Sequence, residues 1–373
     1  MAGIYVHIPY CKVKCHYCDF HFSTQTDSVP EMVKAICAEI EIRKSYLNQQ
    51  KIETIYFGGG TPAFISSVHL QEILNKIYST FTVDDHAEIT IECNPDDITD
   101  KRVKEFSEMG VNRFSLGVQS FDNEVLKFMN RAHDAVQIYR AIDIARKANF
   151  QNITIDLIYG IPGKKMDYWE KQLHEFYKLD LPHLSSYSLT IEPKTFFGAQ
   201  QMKGKLLPKP DEQVLLEFQY LMDSALSNGF EQYEISNFAR PGFISKHNSA
   251  YWLGKHYLGI GPSAHSYNGT SRGWNVSNNA VYIRSMNDQI EFHATEILTT
   301  ANKINDYLLT RLRTKWGICL DDLNFISKEE TNLIKSKIEN LCKTGLLVDT
   351  GSVYVLSNTG KYQADGIAAD LFI

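Results

Sequence analysis

The sequence predicts an α/β fold, a six-unit partial (β/α)6 barrel followed by a smaller C-terminal helical, winged-helix-like unit. Three observations predict it. Strand-like and helix-like runs alternate six times between residues 3 and 191, the pattern of parallel strands joined by right-handed helical crossovers. Several of those strands keep their polar residues on one face. Beyond about residue 290 the pattern changes to helices and then a short hairpin-like run.

The strands come in order as GIYVHIP (3–9), IETIYFGG (52–59), EITIECNP (88–95), RFSLGVQS (113–120), NITIDLIYG (152–160) and HLSSYSLTI (183–191). Helical stretches fall near 29–49, 67–80, 99–109, 122–129, 133–149 and 167–179, with one more over 208–230. A doubly wound sheet and a barrel both fit this alternation. The face pattern favours the barrel. Thr90, Glu92 and Asn94 oppose Ile89, Ile91 and Cys93; Ser115, Gly117 and Gln119 oppose Phe114, Leu116 and Val118; Thr154 and Asp156 oppose Ile153, Ile155 and Leu157. The outer helices need the apolar face, so the polar face looks into a lumen. Six units leave a barrel open on one side, which suits a bulky ligand. In parallel α/β folds chemistry collects at the C-terminal strand ends, where Glu92, Gln119 and Asp156 fall. The chain divides into a barrel over 1–205, an extension over 206–290 and the C-terminal unit over 291–373.

Composition is that of an ordinary globular protein, 43% hydrophobic and 22% charged. A formal net charge of −6 and the lack of a basic stripe exclude a nucleic-acid footprint, so the C-terminal unit reads as a lid or packing element, not a DNA reader. No apolar run reaches the length of a membrane span, about 18 residues. The start, MAGIYVHIPYC, has no secretory signal pattern. A cytoplasmic location is the expectation.

Of seven cysteines, Cys37, Cys93, Cys319 and Cys342 are scattered and read as small core residues. The other three form Cys11-Lys-Val-Lys-Cys15-His-Tyr-Cys18, directly after the first strand. In a reducing compartment such a group binds metal or does redox chemistry. Three thiolates at this spacing can wrap one [4Fe–4S] cubane and leave one iron open, for example to the amino and carboxylate groups of S-adenosylmethionine. The competing reading is structural zinc, with His16 or His21 as fourth ligand.

CxxxCxxC after a first strand resembles the radical S-adenosylmethionine superfamily. YVHIPYCKVKCHYCDF, IYFGGGTP, ECNP and SLGVQSF together resemble the family of oxygen-independent coproporphyrinogen III oxidase over nearly the whole chain. The resemblance implies a partial barrel in which Cys11, Cys15 and Cys18 hold the cluster. It implies that Tyr5, Tyr17, Gly59, Gly60, Thr61, Glu92, Gln119, Arg131 and Asp156 surround S-adenosylmethionine. Arg131 would pair with the cofactor carboxylate, and Asp156 would lie near its ribose.

Two departures shift the expected function. The oxidase pattern has a fourth cysteine where this chain has Phe20, and CDF resembles the HemW branch of the family, haem chaperones. His247-Asn248-Ser249-Ala250-Tyr251-Trp252 matches the HNxxYW signature associated with that branch. The cluster motif also begins almost at the start of the chain, without the N-terminal extension of the oxidase. The resemblance therefore implies a protein that binds haem and passes it to acceptor proteins, respiratory ones among them, with peripheral contact with membrane-bound acceptors. It would be a monomer or a cluster-dependent dimer. His247 is the candidate haem ligand, with His256 and His265 as rivals; Tyr251 and Trp252 would line an apolar porphyrin site. The alternative is the oxidase itself, radical decarboxylation of porphyrinogen propionates.

Overall fold

A computed structural model describes residues 2–288, 290–324 and 327–373. Its first six strands are β1 (Ala2–Ile8), β2 (Ile52–Gly59), β3 (Val83–Cys93), β4 (Arg113–Gln119), β5 (Ile153–Tyr159) and β6 (His183–Ser188). They lie parallel and in chain order. Each apolar strand face packs under helices: Ile55 and Phe57, Ile89 and Ile91, Phe114 and Leu116, Ile153 and Ile155 are all fully or almost fully buried. At roughly 1.5–3 kcal/mol per buried large apolar side chain, this outer layer dominates the stability of the sheet.

The crossover helices start where the sequence supplies caps. Ser66, Thr99, Asp122 and Asp134 each accept a backbone N–H in the first turn of the helix that follows. Asp134 and Gln137 form a reciprocal capping box. The first helix is shorter than expected, Val29–Ile42; the chain then runs through turns over 43–49, left-handed at Asn48 and Gln49.

The sheet is larger than the six units read from the sequence. It continues through β7 (Glu231–Glu234), β8 (Asn237–Ala239), β9 (His256–Ile260), β10 (His265–Tyr267), β11 (Ser271–Asn275) and β12 (His293–Ile297). β9 joins parallel to β1 and is followed by antiparallel β10, β11 and β12, while β8 and β7 add antiparallel beyond β6. The twelve strands run from β12 at one edge to β7 at the other without closing. The strands of the 231–297 segment are short and rich in Gly and aromatics, so they show no clean alternation in the sequence.

Residues 304–371 build a second core from Ile304, Leu308, Ile334, Ile338, Leu356 and Leu371, among others. Helices Thr300–Leu312 and Lys328–Lys343 precede a two-stranded hairpin, Leu347–Asp349 with Tyr354–Leu356, and two short helices. This unit is tied to the β7 edge: the Ile235 N–H donates to the Arg313 carbonyl and the Lys315 N–H to the Tyr233 carbonyl, each at 3.0 Å. Of the scattered cysteines only Cys93 is buried; Cys37, Cys319 and Cys342 are half-buried.

Candidate functional site

The three-cysteine loop sits at the C-terminal mouth of the parallel strands. Its base is pinned where the Cys11 N–H donates to the Ser23 carbonyl at 3.0 Å and the Ser23 N–H to the Pro9 carbonyl at 2.8 Å. Its tip is held by the His16 N–H on the Met129 carbonyl and by the Phe197 N–H on the His16 carbonyl, both at 3.0 Å. All three thiols are half-buried and line one cavity of about 150 Å³ together with Tyr17, Gly59, Gly60, Thr61, Glu92, Gln119, Arg131 and Asp156. Tyr5, Tyr17, Glu92 and Asp156 also line a larger, adjoining cavity of about 700 Å³ that runs down the lumen. The structure thus brings together every residue that the sequence places around the cluster and S-adenosylmethionine.

The thiols have donors aimed at them. The Thr61 hydroxyl donates to Cys11 Sγ at 3.6 Å, and an Arg131 Nη donates to Cys15 Sγ at 3.2 Å. Burial pushes the Cys11 thiol up to about 12, and burial also raises Cys18. Binding a metal cation would offset this and favour the thiolates of Cys11 and Cys18. The histidines proposed as a fourth zinc ligand are engaged elsewhere. His16 Nδ1 donates to the Phe128 carbonyl at 2.8 Å while its ring stacks on Phe196. His21 Nε2 bonds Asn279 at 2.7 Å. Among the described residues, no three His, Cys, Asp or Glu side chains converge as one metal ion requires. A cubane takes one thiolate per iron, so its ligands surround a volume, as these three cysteines do.

The glycines at the end of β2 are needed for close approach. Gly59 has φ of +109°, and a Cβ there would lie 2.5 Å from the His7 ring; one on Gly60 would lie 2.6 Å from the Tyr10 carbonyl oxygen. The Gly59 N–H donates to Glu92 at 3.1 Å and the Tyr56 hydroxyl to the same carboxylate at 2.8 Å. Burial, helped by the charge of Asp156, still pushes Glu92 up to about 7. Burial pushes Asp156 up to about 6. Two half-buried carboxyls poised near neutrality suit a cationic ligand, whose charge would hold them ionised.

β4 ends irregularly. Its register against β5 slips between Leu116 and Gln119, and Gln119 takes a left-handed φ of +68°, a strained conformation of the kind found at functional sites. Its side chain accepts a hydrogen bond from Tyr187 at 3.2 Å. Arg131 crosses over Gly117, where a Cβ would come within 3.1 Å of an Nη. Its Nη atoms donate to Cys15, Tyr17, Asn94 and the Gly117 carbonyl, so this guanidinium clamps the cysteine loop to β3 and β4. Tyr5 donates to His7 Nδ1 at 3.1 Å, and His7 Nε2 donates to the His21 carbonyl at 2.9 Å.

The HNxxYW segment lies at the opposite end of the lumen. It forms the short helix Lys246–Trp252, whose first N–H groups are capped by a buried carboxylate: Glu88 of β3 accepts from Lys246 and His247, each at 3.0 Å. The His247 ring reaches into the lumen with both nitrogens engaged, Nδ1 with Thr54 at 2.7 Å and Nε2 with Tyr251 at 2.8 Å. It stacks on Tyr56 with centroids 5.0 Å apart. Burial, then the nearby Arg113 charge, pushes it down to about 3. Trp252 turns outward against Arg313 of the C-terminal unit, so it does not share a wall with Tyr251. His256 bonds Gln50 and His265 lies exposed on β10; neither lines the lumen.

The radical SAM superfamily profile matches residues 5–175. Among curated proteins, the heme chaperone HemW of Bacillus subtilis is 34% identical over 367 residues, covering 97% of this chain and 96% of its own. The chain belongs to the HemW family. The heme chaperone HemW of Lactococcus lactis is 36% identical and covers 85% of this chain and 83% of its own. Among solved structures, coproporphyrinogen III oxidase (HemN) from Escherichia coli superposes with a TM-score of 0.84 over 100% of this chain and 90% of that one, at 22% identity. That likeness shows the fold.

Within this HemW-family chain, several lumen residues escaped the sequence reading. Tyr56, Arg113, His183 and Tyr187 occupy the inward positions of β2, β4 and β6. His183 bonds Thr154 at 2.5 Å and Tyr233 at 2.8 Å. The signal was available for Arg113, which shares the period-2 parity of Ser115 on β4; Tyr56, His183 and Tyr187 lie on β2 and β6, whose faces the sequence pattern did not sort. Among the described residues, no helix is long and apolar enough to cross a membrane.

Proposed function

We propose that this protein is a haem chaperone that carries a [4Fe–4S] cluster on Cys11, Cys15 and Cys18, binds S-adenosylmethionine beside it, and passes haem to acceptor proteins. The observation that carries the reading is the end-to-end likeness to HemW chaperones. The convergence of three thiols and nine cofactor-facing residues on two contiguous cavities supports its cofactor part. Phe20 stands 74% exposed at the mouth, where the oxidase pattern has a further cysteine.

The roles follow from geometry. Thr61 and Arg131 stabilise thiolates at Cys11 and Cys15 by donating to their sulfurs. Gly59 and Gly60 let the β2 end approach closely. Glu92 and Asp156 offer acceptors for ammonium and ribose groups, and Tyr5 and Gln119 complete the wall. When bound, the cluster supplies an open iron and one-electron chemistry at the mouth. His247, with both nitrogens engaged, can ligate haem iron only after releasing Thr54 or Tyr251. In the cell we place the protein in the cytoplasm, as a monomer that dimerises with its cluster and meets membrane-bound acceptors peripherally.

The test is an anaerobic titration of the reconstituted protein with haem, followed by mixing with an apo-haem protein. Saturation near one haem per chain and transfer to the acceptor are expected. No saturable haem binding, together with conversion of coproporphyrinogen III to protoporphyrinogen IX, would assign the chain to the oxidase instead.

A further inference from the structure

The floor of the lumen holds a cation without a counter-ion. Arg113 opens β4, is 2% exposed and lines the 700 Å³ cavity. Its Nε has no hydrogen-bond partner, and among the described residues its guanidinium is in no ion pair. Asp156 feels its charge but bonds Ser185. The other groups that face Arg113 are Tyr56, Tyr233, His183 and His247, all neutral. Directly across β3 and β4, Arg113 pairs with Thr90, whose hydroxyl is also buried without a partner. A buried charge and a neighbouring buried hydroxyl, both unmet, are costly in a folded chain and are kept where a ligand meets them.

The lumen is ordered by charge. Four acidic residues line it, Asp19, Glu92, Asp156 and Glu192; Glu92 and Asp156 also border the cluster cavity at the mouth, whereas Arg113 borders only the deeper one. Between them the wall is aromatic, with Tyr5, Tyr56, Tyr187 and Tyr251. The cavity falls in the range that holds an organic ligand, about 300–1,000 Å³. A molecule filling it would lay a flat apolar body on the tyrosines and present an anion to the floor. Guanidinium geometry favours a carboxylate.

We propose that Arg113 receives a carboxylate of the haem, one of its propionates, and so anchors the tetrapyrrole in the lumen. This rests on the haem-chaperone reading above. S-adenosylmethionine also carries a carboxylate, and the test separates the two sources.

Wild type, Arg113→Gln and Arg113→Lys are reconstituted, and each is titrated with haem, with haem dimethyl ester and with S-adenosylmethionine. The wild type should prefer haem over the ester by at least about tenfold. R113Q should lose that preference and R113K keep part of it, with cluster absorbance and S-adenosylmethionine affinity unchanged in both. The wild-type comparison needs no variant, so a poorly folding R113Q leaves the test decisive. Equal wild-type binding of haem and its ester, or an undiminished preference in R113Q, overturns the proposal and leaves the chaperone reading standing. A loss of S-adenosylmethionine affinity with haem preference intact also overturns it and assigns Arg113 to the cofactor. Failure of the wild type to bind either haem species overturns the chaperone reading and the proposal with it.

Discussion

The two ends of the lumen solve different problems. At the mouth, thiols, glycines and two carboxyls face open space: Glu92 and Asp156 are half-buried, poised near neutrality and without an ion-pair partner among the described residues. At the floor, most polar groups are committed to one another. Glu88 caps the HNxxYW helix, His247 bonds Thr54 and Tyr251, and His183 bonds Thr154 and Tyr233. Arg113 and its cross-strand neighbour Thr90 are exceptions. A motif's position in the chain therefore does not tell its duty. CxxxCxxC lies in a half-buried loop that can lose its ligands without loss of core, whereas HNxxYW closes the base of the fold.

That contrast makes Cys15→Ser the most damaging change for the cofactor and one of the mildest for the fold. It should abolish cluster iron, read by iron and sulfide analysis. The thermal midpoint of the cluster-free protein should stay within a few degrees of cluster-free wild type, because only one half-buried thiol changes. Global unfolding of this variant would mean that the mouth is structural too.

Glu88→Ala should do the reverse. It leaves two N–H groups at the start of the helix without their acceptor. The expected loss is about 3 kcal/mol of unfolding free energy, read from the urea midpoint, with cluster content per folded chain unchanged.

His247 should show itself through pH. Its folded pKa is depressed to about 3, so the unfolded chain takes up a proton below about pH 6.5 while the fold does not. Its contribution is present above pH 6.5 and is lost as pH falls towards 3, with a slope of up to about 1.4 kcal/mol per unit. His247→Gln should flatten urea midpoints measured between pH 4.5 and 7. An unchanged slope would mean that the ring is not held neutral.

Glu92 gives the smallest and opposite effect. Its folded pKa is raised to about 7, so its contribution is lost as pH rises through 7 and the carboxyl ionises. A cationic ligand removes that penalty. Stabilisation by S-adenosylmethionine, read as a shift in thermal midpoint, should therefore be larger at pH 8 than at pH 6. In Glu92→Gln the difference should vanish.

Much of the mouth was legible because its signals are local. Cys11, Cys15 and Cys18 fall in one loop, Gly59 and Gly60 end a strand, and Glu92 and Asp156 keep parity on β3 and β5, while Gln119 keeps it in the sequence although β4 slips just before it. The alternation of strand and helix likewise gave the parallel sheet. The floor was not legible, because its contacts join distant segments: Thr54 to His247, Glu88 to the 246–252 helix, His183 to Tyr233. His247 reads as an open-loop ligand until the helix is placed against β2 and β3. The strands of 231–297 were missed for a related reason. They are three to five residues long and are stabilised by pairing to existing edges, which leaves little periodicity to read.

The most direct test of the account is the electron paramagnetic resonance spectrum of the reconstituted, reduced protein with and without S-adenosylmethionine, together with iron and sulfide analysis. One [4Fe–4S] cluster per chain, whose spectrum shifts when S-adenosylmethionine is added, is the predicted result. Zinc in place of iron, or a cluster spectrum indifferent to S-adenosylmethionine, would contradict the assignment of the mouth as the cofactor site.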